Sequence, residues 1–118
     1  MSNVISARDA FGVLEMRSER RGDEHVIALG GELDLADAAR VVEELARVEG
    51  TDAQRIVLDL SGLQFIDTSG VRLVIEADAR SRANGNRLRL VRGSRAVRRV
   101  FEIVGLNDRL PFIDAPLE

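Results

Sequence analysis

The sequence has no cysteine, so the chain can form neither a disulfide nor a thiolate metal site. Histidine occurs once, as His25, whereas metal centres usually draw several ligands from histidine and cysteine. Tryptophan and tyrosine are absent and there are 4 phenylalanines, so aromatic surfaces on which nucleic-acid bases could stack are scarce. These shortages argue against a metalloprotein and against a protein that binds single-stranded nucleic acid.

Long apolar runs are also missing. The first residues lack the apolar core of a signal peptide, and no segment is long enough to span a bilayer. The 118 residues are 45% hydrophobic and 31% charged, as is typical of one soluble globular domain. We therefore expect a cytoplasmic protein without membrane insertion. We expect a single domain over residues 1–118, with an ordered core of about 11–113 between frayed tails.

The charge balance is slightly acidic, with a net charge of −3 and a pI near 5.3, which disfavours a nucleic-acid partner. All the basic side chains are arginines, and several gather late in the chain: Arg87, Arg89, Arg92, Arg95, Arg98 and Arg99. Two interpretations remain open for this group: a solvated face, or a patch that binds an acidic partner.

Alternation of short apolar runs with amphipathic segments predicts the order β-β-α-β-α-β-α-β. The polar spacer between residues 11–18 and 25–30 indicates an antiparallel hairpin, whose second strand should end at Gly30-Gly31. Residues 55–60 read as a strand buried on both faces that turns at Ser61-Gly62, and two shorter strands follow at 87–91 and 110–113. We expect an α/β domain with a mixed sheet of four to five strands, an N-terminal hairpin and packed amphipathic helices.

Capping residues and apolar spacing predict three helices, which begin after Asp34, near Asp67 and after Ser94. The buried stripes expected on these helices are Leu35, Ala38, Val42 and Leu45; Val71, Val74, Ile75 and Ala79; and Val97, Val100, Phe101 and Val104.

The sequence lacks the residues that most enzyme classes require. His25 lies within a predicted strand, where histidine is usually structural, and no G-x-S-x-G elbow or phosphate-binding glycine loop occurs. We therefore expect no catalysis, no cofactor and no ATP binding by this chain. The run Asp67-Thr68-Ser69-Gly70 suggests an aspartic protease turn, but Ser69 intervenes before the glycine and those proteases are all-β. From these residues alone, helix capping by Thr68 or Ser69 is the favoured interpretation.

Three segments carry a resemblance to a known family. Residues 57–71, VLDLSGLQFIDTSGV, resemble the central signature of the anti-sigma factor antagonists, which are STAS domains. Upstream, Gly31-Glu32-Leu33-Asp34 is similar to the end of that family's second strand. Residues 97–101, VRRVF, followed by residues 104–106, are similar to its last helix.

The resemblance implies a partner-switching mechanism. The unphosphorylated protein would bind an anti-sigma factor that is itself a serine kinase and supplies the bound ATP, and the sigma factor would be released. Phosphorylation would reverse this binding, and a metal-dependent phosphatase would reset the cycle. The acceptor maps to Thr68, with Ser69 as the alternative, and Asp34, Asp67 and Gly70 complete the partner-binding site.

Threonine stands at position 68 where the family usually has serine. This departure keeps a second function class open. In that class the chain is a STAS scaffold that is not phosphorylated, within a stress-signalling complex or as an accessory subunit of a lipid-transport system.

Overall fold

The computed structural model describes residues 2–8 and 13–115 of the chain, with side chains from residue 14 onward. The strands are β1 (Ser2–Arg8), β2 (Val13–Arg21), β3 (Glu24–Leu33), β4 (Arg55–Ile66), β5 (Leu88–Val91) and β6 (Phe112–Ile113). The helices are α1 (Leu35–Glu49), α2 (Thr68–Ala83) and α3 (Arg95–Ile103). Within the described ranges, no helix is long and apolar enough to cross a bilayer. The predicted α/β class is confirmed.

The strands form one mixed sheet in the order β1-β2-β3-β4-β5-β6. β1, β2 and β3 are antiparallel neighbours, which confirms the predicted hairpin, and β3 to β6 are parallel. Residues 2–8, which we expected to be a frayed tail, pair along β2 and add a sixth strand to the four to five expected. The sequence of β1, SNVISAR, gives a weak strand signal on its own. Its strand conformation depends on pairing with β2, which is a tertiary contact. Phe11, where we expected β2 to begin, and residues 116–118 of the expected C-terminal tail lie outside the described residues.

All three helices contribute to a single apolar core. Parallel strands that follow one another in sequence and are joined by right-handed crossovers place their helices on the same face of the sheet. The main core joins inward side chains of the strands, such as Ile27 and Leu58, to Val41, Val74 and Phe101 of the helices.

The opposite face carries a smaller cluster of Val26, Val57 and Val91. The expectation that residues 55–60 form a strand buried on both faces is confirmed at Val57 and Leu58. Neighbouring side chains of the sheet, Ala28 and Ile113, pack against the second face there.

β3 and β4 run past the glycines at which we expected them to end. Gly30 pairs with Gly62, and the register shifts on either side of this pair, with Gly31 in the left-handed region at a φ of 82°. The glycines therefore allow an irregularity in the ladder rather than a chain reversal. Pairing resumes afterwards and ends with Leu33 opposite Ile66, so the residues that follow emerge side by side.

The buried helix faces differ in part from the predicted stripes. Leu35, Val42, Ile75, Ala79 and Val104 are exposed. Val41, Val48, Leu73 and Ala77 are buried instead. Both α1 and α2 carry apolar residues on more than one side, so sequence spacing fits two overlapping stripes. The contact with the sheet selects one stripe and leaves the other apolar residues at the surface.

His25 is buried on β3, and its Nε2 lies 2.6 Å from the hydroxyl oxygen of Ser18 on β2. Arg47 of α1 reaches the same hydroxyl and is paired with Glu44. Burial is the main cause that lowers the pKa of His25, and the charge of Arg47 adds to it. A neutral histidine that joins two strands beneath a helix agrees with the structural role that its sequence position suggested.

Candidate functional site

The candidate site lies where β3 and β4 end and α1 and α2 begin. Because Leu33 and Ile66 are register partners, Asp34 and Asp67 follow them at neighbouring positions on the same edge of the sheet. The backbone N–H of Asp67 donates to the carbonyl of Leu33 at 3.1 Å and ties the two junctions together. The structure thus brings together all five predicted site residues, which are Asp34 and residues 67–70.

The carboxylate of Asp67 caps both helices. Its Oδ1 accepts from the backbone N–H groups of Ser69 at 2.9 Å and Gly70 at 3.2 Å, in the first turn of α2. Its Oδ2 accepts from the backbone N–H of Leu35 at 3.1 Å, at the start of α1. The free N–H groups of two helix ends therefore converge on one side chain.

Capping of α2 by Thr68 or Ser69, the interpretation favoured from these residues alone, is wrong. Asp67 is the N-cap, and Thr68 is already the first helical residue. Aspartate is among the best N-cap residues, so the signal was present in the sequence. The second bond, to α1, has no sequence signature because it depends on the pairing of β3 with β4.

Hydrogen bonding sets the charge state of Asp67. Partial burial is the largest single influence and acts to raise the pKa of this carboxyl. The Ser69 hydroxyl and the backbone N–H groups of Gly70, Leu35 and Ser69 together outweigh it, so the pKa lies below its usual value. Asp67 is an anion at neutral pH.

Asp34 caps α1, as the sequence predicted. Its Oδ1 accepts from the backbone N–H of Ala36 at 3.0 Å, and its carbonyl accepts from the N–H groups of Asp37 and Ala38. The side chain is half-buried at the same surface as the α2 junction.

The two hydroxyls of the junction differ in their surroundings. The Ser69 hydroxyl donates to Oδ1 of Asp67 and is half-buried. Thr68 is exposed, and within the described residues its side chain makes no hydrogen bond. The Thr68 hydroxyl is therefore free to react or to bind a partner, while the Ser69 hydroxyl is part of the cap.

Gly70 is required by close packing. A Cβ at this position would lie 2.5 Å from Cγ1 of Ile66 and 3.2 Å from Cδ2 of Leu33. Both contacts are with the last residues of the paired strands, so the absence of a side chain lets the first turn of α2 sit directly on the strand ends.

Replacement of Gly70 by alanine should lower the free energy of unfolding by about 1–3 kcal/mol, because the added methyl group overpacks this contact. Urea denaturation measures the effect. The matched test repeats the substitution in an Ile66→Ala background, where the nearest clashing atom is gone and the added cost of Gly70→Ala should shrink. An equal cost in both backgrounds would contradict the packing explanation.

A groove of about 580 Å³ runs between the first turns of α1 and α2 past Thr68. Two apolar side chains of its lining lie at the surface: Leu35 is 76% exposed and Val42 is 40% exposed. Arg72 and Glu76 of α2 supply the charges. Apolar side chains grouped around a polar centre are typical of a protein-binding surface. Sequence reasoning assigned Leu35 and Val42 to the core and did not single out Arg72.

The late arginines do not act as one patch. Arg87 donates to the carbonyls of Glu49, Thr51 and Ala53 and fastens the end of α1 to β5. Arg89 binds nearby carbonyls, and Arg92 lies 4.6 Å from the ring centre of Phe112. The other three, Arg95, Arg98 and Arg99, are exposed on α3. The first three are thus structural, and the solvated-face interpretation fits the last three.

The chemistry available at the junction is that of an exposed alcohol beside a fully engaged carboxylate. Four donors occupy the oxygens of Asp67, so this side chain is a poor general base for Thr68. Across the described part of the chain, no group of three or more His, Cys, Asp or Glu side chains could hold a metal ion.

Fold and site together define a two-layer α/β domain with a doubly capped strand-to-helix junction at one edge of its sheet. The chain belongs to the STAS domain family, whose sequence profile matches residues 15–116.

The relatives that are similar in sequence include RsfB and BtrV. The anti-sigma-F factor antagonist RsfB of Mycobacterium tuberculosis is 27% identical over 82 residues, which cover 70% of this chain and 66% of that protein. The chain thus spans slightly less than two thirds of that relative's length. BtrV of Bordetella bronchiseptica, a candidate anti-sigma factor antagonist, is 33% identical over 73% of this chain and 74% of its own length.

Two solved structures of the anti-sigma factor antagonist SpoIIAA are similar in fold. Its unphosphorylated form has a TM-score of 0.72 at 29% identity, over 86% of this chain and 89% of that chain. The phosphorylated form, from Bacillus, has a TM-score of 0.67 at 28% identity, over 86% and 92% of the two chains.

Proposed function

We propose that this chain is a cytoplasmic anti-sigma factor antagonist. Its unphosphorylated form binds an anti-sigma factor that is a serine kinase, and the sigma factor is thereby released. Phosphorylation at the junction of residues 67–70 ends this binding, and a metal-dependent phosphatase restores it. Membership of the STAS family and two relatives with antagonist names support the proposal. That SpoIIAA exists in unphosphorylated and phosphorylated forms supports the covalent step.

The observation that carries the choice of acceptor is the contrast between the two hydroxyls. A kinase needs an alcohol whose oxygen can reach the γ-phosphate of ATP. Thr68 is exposed and unbonded, whereas the Ser69 hydroxyl is held by Asp67. Phosphorylation of Ser69 would break that bond and place a dianion against the Asp67 carboxylate. Thr68 is therefore the acceptor in this proposal.

A phosphate on Thr68 is compatible with the fold. It adds a charge of about −1.5 to −2 at the first residue of α2, where the helix dipole favours an anion. The bonds from Asp67 to the backbone involve neither the Thr68 hydroxyl nor its methyl group. The inhibitory effect then falls on the partner, through the new charge at the binding surface.

The binding surface in this proposal is the groove beside Thr68. Leu35 and Val42 provide apolar area around the acceptor, and Asp34 and Asp67 shape the backbone that presents it. The nucleotide belongs to the partner, since this chain has no glycine-rich phosphate loop.

The direct test is to incubate the protein with candidate kinase anti-sigma factors and ATP and to locate the phosphate by mass spectrometry. We expect one phosphate on Thr68, none on a Thr68→Ala variant, and undiminished site occupancy in a Ser69→Ala variant. Phosphate on Ser69 in the parent protein would reject the assignment of the acceptor. A protein that binds its partner but stays unmodified would reject the switch.

The second candidate is a scaffold that binds partners without phosphorylation. Threonine at position 68 favours it, because the branched methyl group crowds the oxygen that must attack phosphorus. The apolar side chains around the groove serve a scaffold equally well. The same mass spectrometry experiment separates the two candidates.

A further inference from the structure

Arg72 lies one helical turn after Thr68. Residues at positions i and i+4 of a helix have Cβ atoms about 5–6 Å apart on one face. Thr68 and Arg72 accordingly line the same groove. Arg72 is exposed and makes no ion pair or hydrogen bond with any residue that the structure describes.

The position of Arg72 gives no benefit to the helix itself. Cations stabilise the C-terminal end of a helix, as Arg80 and Arg82 do in the last turn of α2, where they also pair with Glu49 and Asp78. Arg72 stands near the N-terminal end, and the first turn of α2 contains no acidic residue. The dipole therefore gives Arg72 no stabilisation, and the anion at this helix end, Asp67, is already occupied by its four donors.

We propose that Arg72 is the positioning residue for a phosphate on Thr68, with which it forms an intrahelical ion pair. The proposal rests on Thr68 as the phosphorylation site. The phosphoryl group replaces the hydroxyl proton, which is released, and ADP leaves. The resulting dianion then lies on the same helix face as the guanidinium, and a phosphate and a guanidinium can form two parallel hydrogen bonds.

The neighbouring carboxylates do not prevent this pairing. Asp67 directs its oxygens at the helix N–H groups and the Ser69 hydroxyl. Glu76 lies one turn beyond Arg72 in the same groove but makes no ion pair with it. An acid that precedes its base by four residues is also the more favourable order on a helix. The phosphate is therefore the better partner for Arg72.

The ion pair extends the consequence of phosphorylation. In the unphosphorylated protein the Arg72 guanidinium is free to bind a carboxylate of a partner seated in the groove. The phosphate pairs with this guanidinium, which is then no longer available to the partner, and it adds negative charge at the same place. Two features of the binding surface then change with a single modification, and the helix backbone stays where it is.

The test installs phosphothreonine at position 68 during synthesis of the full chain, so no kinase is needed. A ³¹P NMR titration gives the second pKa of the phosphate, which is about 6 in the absence of partners. We expect this pKa to be about 0.5 unit lower in the parent than in Arg72→Gln, since a nearby cation favours the dianion and solvent screens the effect. Arg98→Gln is the matched control, because Arg98 is an exposed arginine on α3.

Two further measurements sharpen the result. Glu76→Gln removes the nearby carboxylate of the groove and should lower the phosphate pKa below the parent value. In 1 M salt the difference between the parent and Arg72→Gln should shrink, because the screening length falls to about 3 Å. Equal phosphate pKa values in Arg72→Gln and Arg98→Gln would overturn the ion pair, as would a phosphorylated chain that circular dichroism shows to be unfolded.

The outcomes separate this proposal from the proposed function. Because the phosphate is installed chemically, a missing pKa difference rejects the role of Arg72 and leaves Thr68 as a kinase acceptor. Conversely, a kinase that ignores Thr68 would reject the switch, while the titration would still report whether Arg72 binds a phosphate there.

Discussion

Replacement of Asp67 by alanine should lower the free energy of unfolding by about 3 kcal/mol. The carboxylate accepts three backbone hydrogen bonds from the first turns of two helices, and it holds the Ser69 hydroxyl. Loss of one N-cap typically costs about 1 kcal/mol, and bonds to a charged acceptor are stronger than neutral ones. The effect is larger than that of an ordinary cap because the starts of α1 and α2 both lose a partner.

Asp34→Ala is the matched control for this prediction. Asp34 is also an aspartate N-cap at the end of a neighbouring strand, but its side chain accepts one backbone bond, from Ala36. We expect Asp34→Ala to cost about 1 kcal/mol in the same urea titration. Equal losses for the two variants would show that the additional bonds of Asp67, from Leu35, from a second N–H group of α2 and from the Ser69 hydroxyl, contribute nothing to stability.

The pH dependence of stability should identify the same carboxylate. The pKa of Asp67 is held below its ordinary value in the folded protein, so the unfolded chain binds a proton more readily. The stabilisation is therefore present above the unfolded pKa of about 4 and is lost as the pH falls through the folded pKa. In Asp67→Asn this acid-sensitive part should be missing, and the stability of the variant should fall less steeply below about pH 4 than that of the parent.

From β2 onward, the order of elements and the three helix starts were predictable from local sequence. Strand and helix periods, polar spacers and the residues Asp34 and Ser94 are local signals, and both residues cap their helices in the structure. The N-terminal strand escaped prediction because residues 2–8 gain their strand conformation from pairing with β2. The prediction that β3 and β4 end at their glycines was wrong for a similar reason. These glycines are paired across the sheet, and both strands continue past them.

For the candidate site, too, some features follow from local sequence and others depend on tertiary contacts. Motif resemblance named residues 67–70 and Asp34, and the register of β3 against β4 is what brings them together. The bond from Leu35 to Asp67 and the exposure of Leu35 and Val42 follow from that register and from which helix face meets the sheet. Arg72 could have been noticed from its spacing to Thr68, but its lack of a partner is visible in the folded chain alone.

If the chain is the proposed antagonist, replacement of Thr68 by aspartate should weaken binding to the anti-sigma factor about a hundredfold, which corresponds to about 2.7 kcal/mol. A fixed negative charge then occupies the centre of the groove, and like charges brought together at an interface cost several kcal/mol. The domain should stay folded, because a carboxylate is favourable in the first turn of a helix. Isothermal titration calorimetry would measure the affinity for the candidate kinase that phosphorylates the parent protein in the mass spectrometry experiment.

Thr68→Ala should behave in the opposite way. The variant cannot accept phosphate, and we expect it to bind the anti-sigma factor as tightly as the unphosphorylated parent and to remain bound when ATP is added. Its stability should differ little from that of the parent, because the Thr68 side chain makes no hydrogen bond among the described residues. A large fall in melting temperature would instead indicate a structural role for this hydroxyl.

Ser69→Ala separates the switch from the cap. It removes the hydroxyl that donates to Asp67, so we expect a loss of stability of about 1 kcal/mol together with unchanged phosphorylation of Thr68. In a phosphorylation switch built beside a helix cap, partner affinity should depend on the charge at position 68. The stability of the domain should depend on the hydrogen bond made at position 69. If Thr68→Asp binds as tightly as the parent and no kinase modifies either residue, the groove is a constitutive binding surface. The scaffold function then replaces the switch.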